Sequence, residues 1–115
     1  MGKKGRKLRK MQRSHRMNIH HILFEKRVWS YGYLLLLRRV FAYEMPVSVH
    51  RRLHENISPV PPLDESEARE LWYRYDGLGH KLSLFEVLEW LRKNAPNEQF
   101  ARAIEQQRRF LLENL

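Results

Sequence analysis

The sequence of 115 residues contains no cysteine. Disulfide bonds and thiolate-bound zinc are therefore excluded, and any metal site must be built from His, Asp or Glu side chains. Long apolar runs are also missing, because the longest aliphatic run, Leu34 to Leu37, is far too short to cross a bilayer. No apolar signal core follows the basic N-terminus. These absences predict a soluble, cytoplasmic protein with no membrane partner.

Acidic residues are absent from residues 1–16, which hold eight of the 22 lysines and arginines. The net charge of the whole chain is +9, but only +1 of it belongs to the remaining 99 residues. We therefore predict a basic arm that is disordered unless bound and that contacts the phosphates of nucleic acid. A solubilising tail with no partner is the alternative. The cationic residues of the arm are Lys3, Lys4, Arg6, Lys7, Arg9, Lys10, Arg13 and Arg16.

The rest of the chain divides at a proline-rich connector, Pro59-Val60-Pro61-Pro62, and contains no internal repeat. Three regions are predicted on this basis. They are the basic arm at 1–16, a histidine-containing unit at 17–58 and a helical region at 59–115.

Two capping boxes mark helix starts in the helical region. Asp64 is followed three residues later by Glu67, and Ser83 is followed at the same spacing by Glu86. In such a pair each side chain accepts a hydrogen bond from the other residue's backbone amide, which begins a helix. Gly77 ends the first of these helices.

A last helix is predicted from about Asn97, with a buried stripe at a spacing of three to four residues. From residue 64 onwards there are ten acidic and eight basic residues, so this region is slightly acidic and a poor surface for DNA. We expect it to act as a scaffold, or as a surface for a protein partner or a homodimer. The stripe consists of Phe100, Ala103, Ile104, Gln107 and Leu111.

The front half has weaker patterns. Residues 18–24 are short, apolar and partly β-branched, which favours a strand. Residues 28–37 fit either a short helix or a loop, and periodicity does not decide between them. Residues 40–44 alternate weakly between more apolar and more polar side chains, and they precede Met45-Pro46. Pro46 suits the first turn of a helix that continues to about Glu55.

Four of the six histidines form two local pairs. His20 and His21 are adjacent, so in a strand their rings point in different directions. His50 and His54 are four residues apart, so on a helix their rings share one face. If the pairs meet, their imidazoles can hold a cation and leave a position open for water or phosphate. Surface histidines, or structural histidines without metal, are the alternatives.

These residues resemble a known family. The sequence His-His-Ile, followed after a gap by Pro-Val-Ser-Val-His-Arg-Arg-Leu-His, is similar to the ββα-metal motif of HNH endonucleases. The likeness is to the cysteine-free form seen in colicin DNase domains and small phage HNH proteins, and it covers roughly residues 18–56. It implies an α+β fold, in which a small ββα-metal-like unit precedes a helical C-terminal bundle.

The resemblance also implies an activity and roles for the histidines. The chain would be a metal-dependent DNA endonuclease or nickase that uses one divalent ion, Mg, Mn, Ni or Zn. His20, His50 and His54 would bind the ion, and His21 would be the general base that takes a proton from the attacking water.

One position departs from the family pattern. The family has an asparagine in the middle of the motif, whereas residues 22–49 contain none, and Arg38 or Arg39 lies near the corresponding place. A non-catalytic protein that binds nucleic acid or a nucleoprotein on a degenerate HNH scaffold is therefore the alternative function. In either case we expect Arg38, Arg39, Arg51 and Arg52 to contact nucleic acid, most naturally double-stranded DNA.

Overall fold

A computed structural model describes residues 16–115 of the chain. These residues form the predicted α+β fold, with a two-stranded antiparallel sheet and five helices. The described part of the chain has no helix with both the length and the apolar character of a membrane span. Of the predicted basic arm, only Arg16 lies within the described residues. The elements in chain order are β1 (Met17–His21), α1 (Gly32–Val40), β2 (Ala42–Pro46), α2 (Val47–Asn56), α3 (Glu65–Asp76), α4 (Leu84–Lys93) and α5 (Glu98–Asn114).

The sheet joins β1 to β2, with His20 opposite Tyr43 and His21 opposite Ala42. The strand β1 ends at His21, three residues before the predicted end at Phe24. Residues 22–24 follow the strand as the chain leaves the sheet, and their apolar side chains are buried in the core. Their apolar character reflects the anchoring of a loop and not the continuation of a strand.

The segment between the strands contains a loop followed by the helix α1. Hydrophobic periodicity alone did not distinguish a helix from a loop in this segment. Gly32, the first residue of α1, has φ +54, and a side chain at this position would collide with the carboxylate of Glu65. That carboxylate accepts a hydrogen bond of 2.9 Å from the backbone N–H of Tyr33. The start of α1 is therefore capped by a residue of α3, which no local pattern can reveal.

The helix α2 begins directly after β2. Pro46 is the last residue of the strand and the N-cap of the helix, with extended backbone (ψ 139), so the helix starts at Val47 and not at Pro46. Val49 and Leu53 are buried and hold α2 against both strands. The two strands and α2 together form the ββα unit that the resemblance implied, with α1 inserted between the strands.

The helices of the C-terminal region start where the capping signals predicted. Asp64 accepts from the Glu67 amide at 2.8 Å, and the Glu67 side chain accepts from the Asp64 amide at 3.1 Å. The same reciprocal box joins Ser83 and Glu86. Asn97 caps α5 by accepting from the backbone of Phe100 at 2.8 Å.

One hydrophobic core includes residues from every helix and from β2, whereas no residue of β1 belongs to it. The helix α3 packs against α1, while α5 packs against both α4 and α2. Buried residues lie on both sides of residue 58, where the sequence suggested a boundary, and include Trp29, Leu53, Leu71 and Ile104. The packing of α5 on α2 brings the C-terminal region to the histidines.

Candidate metal centre

Three histidines converge between the sheet and α2. His20 comes from β1, and His50 and His54 come from successive turns of α2. One ring nitrogen from each residue lies within 4.8 Å of the other two, and residues 16–115 contain no other such group of His, Cys, Asp or Glu side chains. The structure thus brings together the three residues assigned as ligands from the sequence.

His20 is the inner member of the group and has no exposed surface. Its Nε2 donates a hydrogen bond of 2.7 Å to Oε1 of Gln107 on α5. Its Nδ1 is also buried and has no hydrogen-bond partner within the described residues. A buried polar atom without a partner is costly, so this nitrogen is suited to a ligand that supplies the missing interaction.

His50 and His54 are more open to solvent. Their Nε2 atoms are 2.9 Å apart, so one ring donates a hydrogen bond to the other. On its other side, Nδ1 of His50 lies 3.2 Å from the side-chain amide of Asn18. The ring of Phe24 packs edge-on against His54, with 4.7 Å between the ring centroids, and forms an apolar wall of the site.

The surroundings favour neutral imidazoles. The pKa of His20 is lowered to about 4, chiefly by burial and also by the nearby His50 and His54, against the opposing effect of the Gln107 hydrogen bond. Burial also lowers the pKa of His50 and of His54, and at His50 the neighbouring His54 and His21 add to the effect. Neutral rings keep a lone pair, which metal binding requires.

His21 lies beside this group, on the opposite face of β1 from His20, and is partly buried. Burial lowers its pKa, and the guanidinium of Arg38 on α1 lowers it further. The Nε of Arg38 is itself buried and has no hydrogen-bond partner in residues 16–115. The imidazole of His21, whose pKa is lowered, and the cationic guanidinium of Arg38 therefore lie near the three-histidine group.

The other predicted arginines divide between two places. Arg51 and Arg52 are exposed on α2 next to His50. Arg39 instead lines a surface cavity with Trp72 and Lys81, and none of the four paired histidines lines that cavity. Arg16 is exposed immediately before β1. The remaining predicted contacts lie outside the described residues: Lys3, Lys4, Arg6, Lys7, Arg9, Lys10 and Arg13.

Ion pairing separates the two halves of the chain. Within residues 16–115, Arg38, Arg51 and Arg52 form no salt bridge. In the helices of the C-terminal region, by contrast, five of the six arginines pair with glutamates of the same region, and Arg69 of α3 is the exception. The arginines paired in this way are Arg74, Arg92, Arg102, Arg108 and Arg109.

Sequence reasoning did not assign three residues that contact the histidines, namely Asn18, Phe24 and Gln107. Asn18 lies two residues before His20, and the alternation of a strand places both on one face. Gln107 is a polar residue within the apolar stripe of α5, which is an unusual position for an amide. For Phe24 alone, the sequence contains no indication of a contact with the histidines beyond the apolar character of the side chain.

Comparisons with protein-family models, curated proteins and solved structures find no match to this chain. The donor chemistry nevertheless fits a metal. The three-histidine group could hold an ion, since the pKa of each ring is lowered and Nδ1 of His20 has no hydrogen-bond partner within the described residues. Three imidazole ligands are also a known composition for catalytic zinc sites, in which a fourth position stays open.

Proposed function

We propose that this protein is a metal-dependent DNA endonuclease or nickase of HNH type. The observation that carries the proposal is the convergence of His20 with the helix-borne His50 and His54, while His21 is close enough to lower the pKa of His50. The packing of α2 on both strands supports it, because two antiparallel strands and a packed helix are the components expected of a ββα-metal unit, here with α1 inserted between the strands.

Zinc or nickel suits this site better than magnesium. The ligands would be His20, His50 and His54, and imidazole nitrogen is preferred by Zn²⁺ and Ni²⁺, whereas Mg²⁺ prefers oxygen ligands. When bound, the ion would stabilise the negative charge that develops on the scissile phosphate and on the leaving oxygen.

His21 is the base in this proposal. Its neutral ring takes a proton from water as the water oxygen forms a bond to phosphorus and the bond from phosphorus to the leaving oxygen breaks. The low pKa that burial and Arg38 impose keeps the ring unprotonated and ready to act at neutral pH. Arg38, whose guanidinium is close enough to His21 to lower the pKa of that ring, would bind a phosphate oxygen.

The distribution of free cations supports nucleic acid as the substrate. Arg51 and Arg52 extend into solvent beside the histidines and form no salt bridge within the described part of the chain. Phosphate contacts of this kind position a duplex without reading its sequence. The basic residues 1–16 would add a larger electrostatic contribution to the same binding.

A plasmid-nicking assay tests the proposal. Supercoiled DNA is incubated with the protein and Mg²⁺, Mn²⁺, Ni²⁺ or Zn²⁺, with an EDTA control, for wild type, His21→Ala and His80→Ala. His80 is an exposed histidine outside the three-histidine group, and its one side-chain hydrogen bond among the described residues is to the Leu78 carbonyl, so its variant is the matched control. We expect nicking by wild type and His80→Ala, and none by His21→Ala or in EDTA. Normal nicking by His21→Ala would refute the assignment of the base.

The second candidate is a protein that binds nucleic acid without cutting it. The observation in its favour is the lack of any asparagine in residues 22–49, where the family has one. The described structure places Asn18 against His50, so this amide does not replace the missing one beside His21. Tight binding of duplex DNA with no nicking under any of the four metals would select this function.

A further inference from the structure

Gln107 is a fully buried amide whose two ends are both used. Its Oε1 accepts a 2.7 Å hydrogen bond from Nε2 of His20, and its Nε2 donates a 3.2 Å hydrogen bond to the backbone carbonyl of Ile22. The residue lies on α5, 87 positions after His20 in the chain. It therefore joins the C-terminal region to the innermost histidine of the site.

These contacts fix the proton on His20. The carbonyl of Ile22 can only accept a hydrogen bond, so the NH₂ end of the Gln107 amide must face it and the oxygen must face His20. Because the amide oxygen can only accept, Nε2 of His20 must carry the proton. A neutral imidazole has a single N–H, and Nδ1 of His20 is consequently left with its lone pair free.

The geometry points to Gln107 as a positioning residue of the metal site, which makes Nδ1 the atom by which His20 binds the ion. This inference rests on the metal centre of the proposed function. Outer partners that orient a ligating histidine and fix its tautomer typically change metal affinity by about 10- to 100-fold when they are removed. Because the His20–Gln107 pair is fully buried, solvent cannot replace the lost acceptor.

The same amide also restrains the segment next to the base. The Ile22 carbonyl, which Gln107 holds, belongs to the residue that directly follows His21. Gln107 thus connects the ring of one proposed ligand to the backbone beside the proposed base. The C-terminal helices are for this reason part of the site and not only a scaffold around it.

The first test needs no variant. Wild-type protein with ¹⁵N-labelled histidine is studied by NMR without metal at neutral pH, and the coupling pattern of each ring shows which nitrogen carries the proton. We expect His20 to be the Nε2–H tautomer. A His20 ring protonated at Nδ1 would overturn the inference.

The second test measures zinc affinity by competition with a chelating dye. Gln107→Met removes the acceptor but keeps a side chain of similar length, and Gln106→Met makes the same change at the exposed neighbouring position. We expect Zn²⁺ to bind about 10- to 100-fold more weakly to Gln107→Met and with unchanged affinity to Gln106→Met. Thermal unfolding confirms that both variants are folded at the temperature of the titration.

The outcomes separate this inference from the proposed function. Equal zinc affinity of folded Gln107→Met and wild type would refute the role of Gln107 and leave the metal centre intact. If wild type itself binds none of Mg²⁺, Mn²⁺, Ni²⁺ and Zn²⁺, the metal centre and the proposed nuclease fail together. The tautomer measurement stands even if Gln107→Met does not fold, because it uses the unaltered protein.

Discussion

The Nε2 atoms of His50 and His54 lie 2.9 Å apart across one turn of α2. At this distance one ring must donate its proton to the other, since two lone pairs facing each other would repel. A cation bound between the rings would take the place of that proton. The spacing of four residues places both rings on the same face of the helix.

Replacement of His54 by alanine should abolish tight metal binding. A lost ligand costs more than a lost outer partner, so we expect zinc affinity to fall by more than about 100-fold. Stability without metal should change little, because the His54 side chain is exposed. Titration with a chelating dye measures the affinity, and His80→Ala is the control. Unchanged zinc binding by His54→Ala would show that the ion, if bound, lies elsewhere.

Zinc should stabilise the fold. An ion that binds only the folded state at 100 times its Kd adds about 2.7 kcal/mol to the free energy of unfolding. Thermal unfolding with and without Zn²⁺ measures this, and EDTA should reverse it. The double variant His50→Ala/His54→Ala should show no difference between the two conditions. The same unfolding temperature for wild type with and without zinc would contradict the metal centre.

Charge removal beside the site should weaken DNA binding, while equal charge removal on the C-terminal helices should not. Arg51→Ala/Arg52→Ala removes two exposed arginines without ion pairs in the described chain, and Arg102→Ala/Arg109→Ala removes two that are paired with glutamates. We expect the first variant to reduce the slope of log affinity against log salt by about 2, and the second to leave it unchanged. Fluorescence anisotropy with a short duplex measures both slopes. Equal slopes for the two variants would place the DNA surface elsewhere.

Deletion of residues 1–15 should flatten the salt dependence further. The deletion removes seven cations but keeps Arg16, whose backbone carbonyl accepts a hydrogen bond from Val47 next to the sheet. If every cation contacts a phosphate, the slope falls by about 6. An arm of the same length with glutamine at the seven positions is the control for chain length and should behave like the deletion. Unchanged affinity would make the arm a solubilising tail.

Local signals were sufficient for much of the fold. The boxes at Asp64 and Ser83 predicted the starts of α3 and α4 because the partners of each cap lie three residues away in the sequence. The start of α1 could not be predicted, since its cap is the carboxylate of Glu65, more than 30 residues further along the chain. Pro46 is compatible with the end of a strand and with the start of a helix. Its pairing with Met17 makes it the last residue of β2.

The candidate site likewise combines features that local sequence patterns predict with contacts that only the packing of distant elements creates. The adjacent histidines and the i, i+4 pair defined the ligand types and the shared helical face, because both follow from strand and helix periodicity. The sequence alone also determined the excess of positive charge and excluded cysteine from any metal site. Only the tertiary structure decided that the strand and the helix place His20 against His50, and that α5 brings Gln107 to the buried ring. Such contacts depend on how whole elements pack. The periodicity of a single strand or helix cannot predict a hydrogen bond between residues that are 87 positions apart.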